Sequence, residues 1–438
     1  MRMTIARTRQ AAALPVEAVE RKGIGHPDSL ADLIAEEFSR LYSAECLDRW
    51  GMVLNHWVDK VNLVGSAARV GFGGFEILKP VSVHLFGKVS HGIGRERVDA
   101  ERILRQAART VLDGALGETA IARHVRFNIE NSAGSAPDHG RGFYHPGSLA
   151  EVREASRRET VANDTVLCSA YATVDDLADL VRHLEGLVTD ARAGLTAAMP
   201  AVGTDVKVVA IRAGDALEVT VCVPGHSDRL RSREEYDDMV AMARALLEEA
   251  VWREADRRGL RPRLVVNSKD SATSAYLCPF GTALGKGDCG VVGRGNRING
   301  AINVLRPSTA EAPAGKNPLH HVGKLYTIAA QLIAGECVAR FGAATSEVLL
   351  ATDNGRPLTN PRLASVQLSD AAASDRDVAD LVQGVLEAVP TMWRSFLDLD
   401  VCAHFRRGGF RSPADLAGPA DLVAPDEPAA LAALACTA

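Results

Sequence analysis

Cysteine is scarce in this chain and poorly spaced for chemistry. Eight cysteines occur in 438 residues, and no two stand in a CxxC pair. That argues against a disulfide framework and a structural zinc site, and it fits a reducing compartment. Long apolar runs are missing as well, and no stretch is long enough to span a bilayer. The opening "MRMTIARTRQAAALPVEAVERKG" carries arginines but has neither the apolar segment nor the cleavage pattern of a signal peptide. A surplus of positive charge is absent too. The formal net charge is -5, which gives no bulk electrostatic case for nucleic acid or a membrane surface. No GxxxxGK[ST], HExxH, Ser-His-Asp spacing or paired-carboxylate motif is found. The expectation is a cytoplasmic, soluble protein in which any anionic ligand is met by local positive charge.

What is present reads as an ordinary globular chain, 47% hydrophobic and 24% charged. Its length suggests two or three domains. Apolar residues at Leu30, Leu33, Ile34, Phe38 and Leu41 form a helical stripe behind Asp28. "GMVLNHWVDKVNLVG", "VSVHLFGKV", "HVRFNIEN" and "DTVLCSAYATV" read as strands, and "DVKVVAIRAGDALEVTVCV" as a strand pair turning at Gly214-Asp215. "RVDAERILRQAARTVLDGAL", "DLADLVRHLEGLVTDARAGL", "SREEYDDMVAMARALLEEAVWREADRRGL" and "HVGKLYTIAAQLIAGECVARFG" read as helices. "RPRLVVNSKD", "INGAINVL" and "SEVLLATDNGRPL" supply further strands. The polar segment "SAGSAPDHGRGFYHPGS" reads as a surface loop or lid, and the tail after Pro413 as frayed. Strands and helices alternate with hairpins between them, so the fold class is α/β (α+β) with mixed sheets.

Three segments carry polar chemistry. "RKGIGHPDS" places Lys22, two glycines, His26 and Asp28 at a helix entrance, where free N–H groups and the dipole favour an anion. Asp28 could hold a Mg2+ that bridges phosphates. The competing reading is a plain cap by Asp28 or Ser29, and taken alone that suffices. "GTALGKGDCGVVGRGNR" mixes glycine with Asp288, Arg294 and Arg297. It is either a flexible surface loop or a cradle of backbone N–H groups for phosphate. "GKNPLHHVGK" brings Lys316, His320, His321 and Lys324 to another helix start, where Lys324 also reads as a plain surface charge. "VANDTV" puts Asn163 and Asp164 before a strand, as a site or a simple turn. His56, Asp59 and Lys60 lie in a strand, either lining a site or facing solvent. Together the glycine-basic segments suit an oligophosphate with a divalent metal, and the residues by themselves go no further.

Taken in order, "VERKGIGHPDS", "DKVNLVG", "VANDT", "AVGTDVKVVAIR", "GDCGVVGRGNRINGAI" and "GKNPLHHVGK" resemble the archaeal-type S-adenosylmethionine synthetases (methionine adenosyltransferases), over about residues 16–368. The resemblance implies three interwoven α/β subdomains with mixed sheets in a pseudo-threefold arrangement. The motifs divide roughly into 1–125, 126–265 and 266–438. It implies a homodimer or a dimer of dimers, ATP and L-methionine as substrates, Mg2+, and K+ as an activator. The implied reaction is attack of the methionine sulfur on ribose C5′ with loss of triphosphate, which is then hydrolysed to pyrophosphate and phosphate. Carried over by motif, His26, Arg294 and Lys316 act on the triphosphate, and Asp28 is the metal ligand. Asp164 with Asn163 meets the nucleoside, and Asp288 the amino-acid or ribose side. Lys22, His321 and Lys324 are further phosphate contacts, while His56, Asp59 and Lys60 line the site.

The chain departs from that pattern at specific places. Asn55 and Trp57 replace residues of the usual "LHHN". Ser66 and Ala67 stand where a glycine and a polar residue are usual. Gly285 replaces a glutamate, and Cys289 an aspartate. The changes gather at the amino-acid and nucleoside end. They motivate two further expectations: an adenosyltransferase for another thioether, selenoether or nucleotide, or a non-catalytic nucleotide-binding homologue.

Overall fold

A computed structural model describes residues 1–8, 14–117, 120–134, 144–158, 161–190, 192–411 and 415. Most of the expected lid, at 135–143, and the tail from 416 onward lie outside them.

The described residues form three units, each a mixed sheet backed by two long helices. In the first, Gly290–Val291, His56–Val64, Val81–Val89 and Val125–Asn131 lie side by side in that order. Alternation makes this sheet one-sided, with Val58, Val61, Leu63, Val83 and Leu85 pointing inward. The helices Pro27–Trp50 and Ala100–Leu116 close over that face with Leu30, Ile34, Phe38, Leu104 and Val111. The second sheet runs Arg261–Val266, Ala216–Cys222, Lys207–Ala213, Val16–Lys22, Ile302–Asn303, backed by Leu177–Thr189 and Arg233–Arg258. The third runs Arg2–Thr8, Leu363–Ser369, Thr345–Thr352, Val166–Thr173, backed by Val322–Phe341 and Asp375–Ala388.

Strands distant in sequence supply each sheet. Arg2–Thr8 pairs in parallel with Leu363–Ser369, and Val16–Lys22 pairs antiparallel with Lys207–Ala213. The hairpin expected at Gly214 forms, with that glycine at φ 57°. Two readings are corrected. "INGAINVL" contributes only the two-residue strand Ile302–Asn303, after which Val304 and Leu305 turn out to solvent. The helix read through "TDARAGL" stops at Asp190, whose carboxylate accepts the N–H groups of Arg192 and Ala193 and turns the chain instead.

Candidate active site

Two helix mouths bring together many of the candidate residues, and both are built the same way. In the first, the cap is His26 rather than Asp28 or Ser29. Its Nδ1 accepts the Asp28 N–H at 3.1 Å, and Pro27 occupies the first turn. In the second, His321 caps Val322–Phe341, its Nδ1 accepting the Gly323 N–H at 3.2 Å. A ring nitrogen that accepts from a backbone amide carries no proton, so in each histidine the proton sits on Nε2. Burial first, then the charge of Lys22, brings His26 down to about 4. Burial first, then Lys316, holds His321 well below the usual histidine range. Both are neutral hydrogen-bond donors at neutral pH.

At the first mouth the glycine-rich segment lies on the helix. Asp28 accepts the Val291 N–H at 3.0 Å with one oxygen and pairs with Lys22 Nζ at 2.8 Å with the other. Lys22 Nζ also donates to the Arg294 carbonyl at 2.5 Å. The segment is therefore a pinned loop, not a flexible one. Arg294 itself is exposed and makes no ion pair with a described residue. Gly290 is required here, since a Cβ on it would lie 2.0 Å from the Pro27 carbonyl oxygen.

At the second mouth Lys316 is buried, 1% exposed, between two carboxylates. It meets Asp59 closely and Glu311 at 3.0 Å. Burial would raise the Asp59 carboxyl, but Lys316 and Lys60 together hold it below the usual range. Lys60 reaches Asp59 at 2.9 Å from an exposed position. The pairing of His56–Val64 with Val81–Val89 shifts register between Trp57 and Lys60, at Asp59's place in the strand. Lys324 is no surface charge: it is buried and bonded to both Glu36 oxygens at 2.7 and 2.8 Å. Burial lowers its pKa, and Glu36 partly counters that. Glu36 also accepts the Gly315 N–H at 3.0 Å, so the first helix holds the "GKNP" turn.

The remaining candidates are placed as follows. Asn163 accepts the Val322 N–H at 3.0 Å, beside His321, while Asp164 is exposed and bonds only locally, to the Thr165 N–H at 2.7 Å. Asp288 is exposed on the glycine-rich loop, where its backbone presses on Gly65. His56 is not brought to either mouth's surface. It is fully buried, 2.7 Å from Ser39 Oγ and 3.0 Å from the Leu54 carbonyl oxygen, and burial pushes it down to about 3. Sequence reasoning missed Asp32, Glu36 and Glu311. Asp32 and Glu36 follow Asp28 at four-residue intervals, a periodic acidic ridge that was there to be read.

The chain matches the family model described as S-adenosylmethionine synthetase over residues 1–399. It is 34% identical over 378 residues to the S-adenosylmethionine synthase of Methanothrix thermoacetophila, covering 83% of this chain and 90% of that one. The Pyrococcus furiosus S-adenosylmethionine synthase is 33% identical over 357 residues, covering 81% and 85%.

The chain belongs to the S-adenosylmethionine synthetase family.

A solved structure of an unusual S-adenosylmethionine synthetase from Campylobacter jejuni shares the fold, with a TM-score of 0.58 at 16% identity, covering 91% of this chain and 96% of that one. In this S-adenosylmethionine synthetase family member the two ends of the strand His56–Val64 are packed as follows. Ser66 donates from Oγ to the Gly285 carbonyl at 2.5 Å, and its N–H bonds Leu284 at 2.9 Å. A Cβ at Gly285 would sit 2.5 Å from the Pro279 carbonyl oxygen, so this backbone leaves no room for a side chain there. Trp57 stands edge-on to His321 with ring centres 5.5 Å apart, and Lys88 lies over its ring at 5.2 Å. Ala67 is exposed at the start of a two-stranded hairpin.

Proposed function

We propose that this protein makes S-adenosylmethionine from ATP and L-methionine. The methionine sulfur attacks ribose C5′ in line, and the whole triphosphate departs and is cleaved to pyrophosphate and phosphate. A thioether needs no general base, so the demand falls on the leaving group and on alignment. One observation carries the reading: two neutral-histidine helix mouths, each with a buried lysine, are tied to one helix by Asp28 and Glu36. His26 Nε2–H, Arg294 and Lys316 take the triphosphate oxygens, and Lys22, His321 and Lys324 set the field behind them. Asn163, Asp164 and Asp288 serve the nucleoside and amino-acid end. His56, Asp59 and Lys60 support the strand beneath, with Asp59 orienting Lys316.

Mg2+ fits Asp28. No group of three or more His, Cys, Asp or Glu among the described residues could hold a metal ion unaided. A Mg2+ ion commonly takes only one or two carboxylates and fills its other positions with phosphate oxygens and water, and Asp28 is a carboxylate at an anion-binding helix mouth. When bound, Mg2+ neutralises charge on the departing triphosphate.

The test is S-adenosylmethionine formation from ATP and methionine with Mg2+, with and without K+, read by mass spectrometry. No product at high enzyme concentration would overturn the proposal. A second reading, a different thioether or selenoether substrate, is favoured by Trp57 at one end of the strand His56–Val64 and by Ala67 and Gly285 at the other. A substrate panel in the same assay separates the two. The chain is proposed to act as a homodimer or dimer of dimers, supported by exposed Val64 and Phe86 on the strands of the first sheet. Light scattering tests it.

A further inference from the structure

The glycine-rich loop touches the first helix through alternate residues. Asp28 takes the Val291 N–H at 3.0 Å, and one turn further Asp32 takes the Gly293 N–H at 2.8 Å. The other Asp32 oxygen lies against the backbone at Gly295. A Cβ on Gly295 would lie 2.1 Å from Asp32 Oδ2, so the loop backbone rests directly on this carboxylate. Residues 291, 293 and 295 thus touch the helix, while Arg294, in a turn closed by its own N–H to the Val291 carbonyl, is exposed. The other ties act at the loop's carbonyls and far end. Lys22 Nζ bonds the Arg294 carbonyl, Arg297 bonds the Gly293 carbonyl at 2.8 Å, and Asn296 bonds the Lys22 backbone at 2.9 and 2.8 Å.

Asp32 lies one turn below the helix mouth and, with Gly293, Asn296 and Arg297 of the loop, lines a cleft of about 160 Å³. An apolar side chain could line this cleft, yet a carboxylate stands there. Its chemistry explains why. One oxygen accepts the Gly293 amide and the other meets the Gly295 backbone, whereas an asparagine would turn an NH2 toward one of them.

We propose that Asp32 is the positioning residue for Arg294: by holding the Gly293 amide and bearing on the Gly295 backbone it sets the register of the loop over the helix mouth. The proposal rests on Arg294 meeting the triphosphate, as proposed above. Replacing Asp32 frees the loop to shift, and misplacement by about an ångström costs on the order of 100-fold in rate.

The experiment uses the full chain with Asp32→Asn, Arg294→Ala and the double variant. Steady-state kinetics with ATP and methionine are joined to hydrogen exchange of the 290–297 amides. Asp32→Asn should lower kcat and raise the ATP KM, roughly 10- to 100-fold in kcat/KM, and leave the methionine KM within about twofold. Added to Arg294→Ala it should cost little more, because both act through one guanidinium. The loop amides should exchange faster while the urea midpoint holds, and Asp32→Glu should restore part of the activity. Multiplicative losses in the double variant, or unchanged loop exchange, overturn the role of Asp32. If the wild type makes no S-adenosylmethionine, the enzymatic reading fails while the exchange result still reports on the loop anchor.

Discussion

Lys316→Met is the sharpest perturbation the site offers. The ammonium is 1% exposed, held by Asp59 and by Glu311 at 3.0 Å. Removing one partner of a buried pair strands the other charge and costs about 3–5 kcal/mol. Here the stranded group is Asp59, which keeps exposed Lys60 at 2.9 Å, so the low end, about 3 kcal/mol, is expected. Glu311 is 43% exposed and returns to solvent at little cost. The effect on catalysis is separate. A fixed cation or donor facing developing charge in a closed site is worth about 100- to 1,000-fold in kcat. The double variant Lys316→Met/Asp59→Asn removes the stranded charge, so the urea midpoint should recover most of its loss while kcat stays low. Stability is read by urea unfolding and kcat by S-adenosylmethionine formation. If Lys316→Met keeps kcat within about tenfold, Lys316 does not serve the triphosphate. If the double variant unfolds as readily as the single one, the ion-pair reasoning is wrong.

Four other outcomes are expected. His26→Ala loses the helix cap, worth about 1 kcal/mol, and drops kcat about 100- to 1,000-fold with the far-UV circular dichroism unchanged; normal turnover would remove His26 from the mechanism. Chelating Mg2+ should stop turnover, and Asp28→Asn should raise the Mg2+ requirement at least roughly tenfold, the loss typical even of outer-shell partners; an unchanged Mg2+ titration refutes the metal role. Asp205, buried and accepting the Ala283 N–H at 2.7 Å, is raised by burial to about 7 from an unfolded 3.8. A raised carboxyl binds its proton more tightly when folded. Stability should therefore begin to rise as pH falls through about 7 and go on rising toward 3.8, by at most roughly 4 kcal/mol in all, and Asp205→Asn should flatten the slope of urea midpoint against pH; parallel slopes would count against it. Ser66→Ala should cost about 1 kcal/mol by freeing the Gly285 carbonyl, whereas Gly285→Ala should cost about 1–3 kcal/mol by overpacking against Pro279, both read by urea unfolding.

Much of the architecture was legible because it follows local periodicity. The helix behind Asp28, the strands His56–Val64 and Val81–Val89, and the Gly214 hairpin follow apolar spacing and turn chemistry. The strand Arg2–Thr8 had no such signal, since its burial does not alternate cleanly and it forms by pairing with Leu363–Ser369. "INGAINVL" had the composition of a strand but a neighbour for only two of its residues. The site shows the same division. Lys22, His26 and Asp28 were readable as an anion-binding helix mouth, yet the cap proved to be the histidine, because its ring nitrogen reaches the Asp28 amide. Lys324 looked like a surface charge because Glu36, its partner, lies 288 positions away.

The sequence by itself determined the residue types at each helix mouth, the glycines where backbone must lie on backbone, and the apolar faces that build three cores. Those follow from short-range sterics and spacing. Only the tertiary structure decided which carboxylate each lysine faces, that Asp28 and Asp32 clamp a loop some 260 residues away, and that His56 is a packing residue beneath Ser39. Such pairings depend on how distant strands and helices are brought together, and a carboxylate carries no mark in the sequence of the amide or ammonium it will meet.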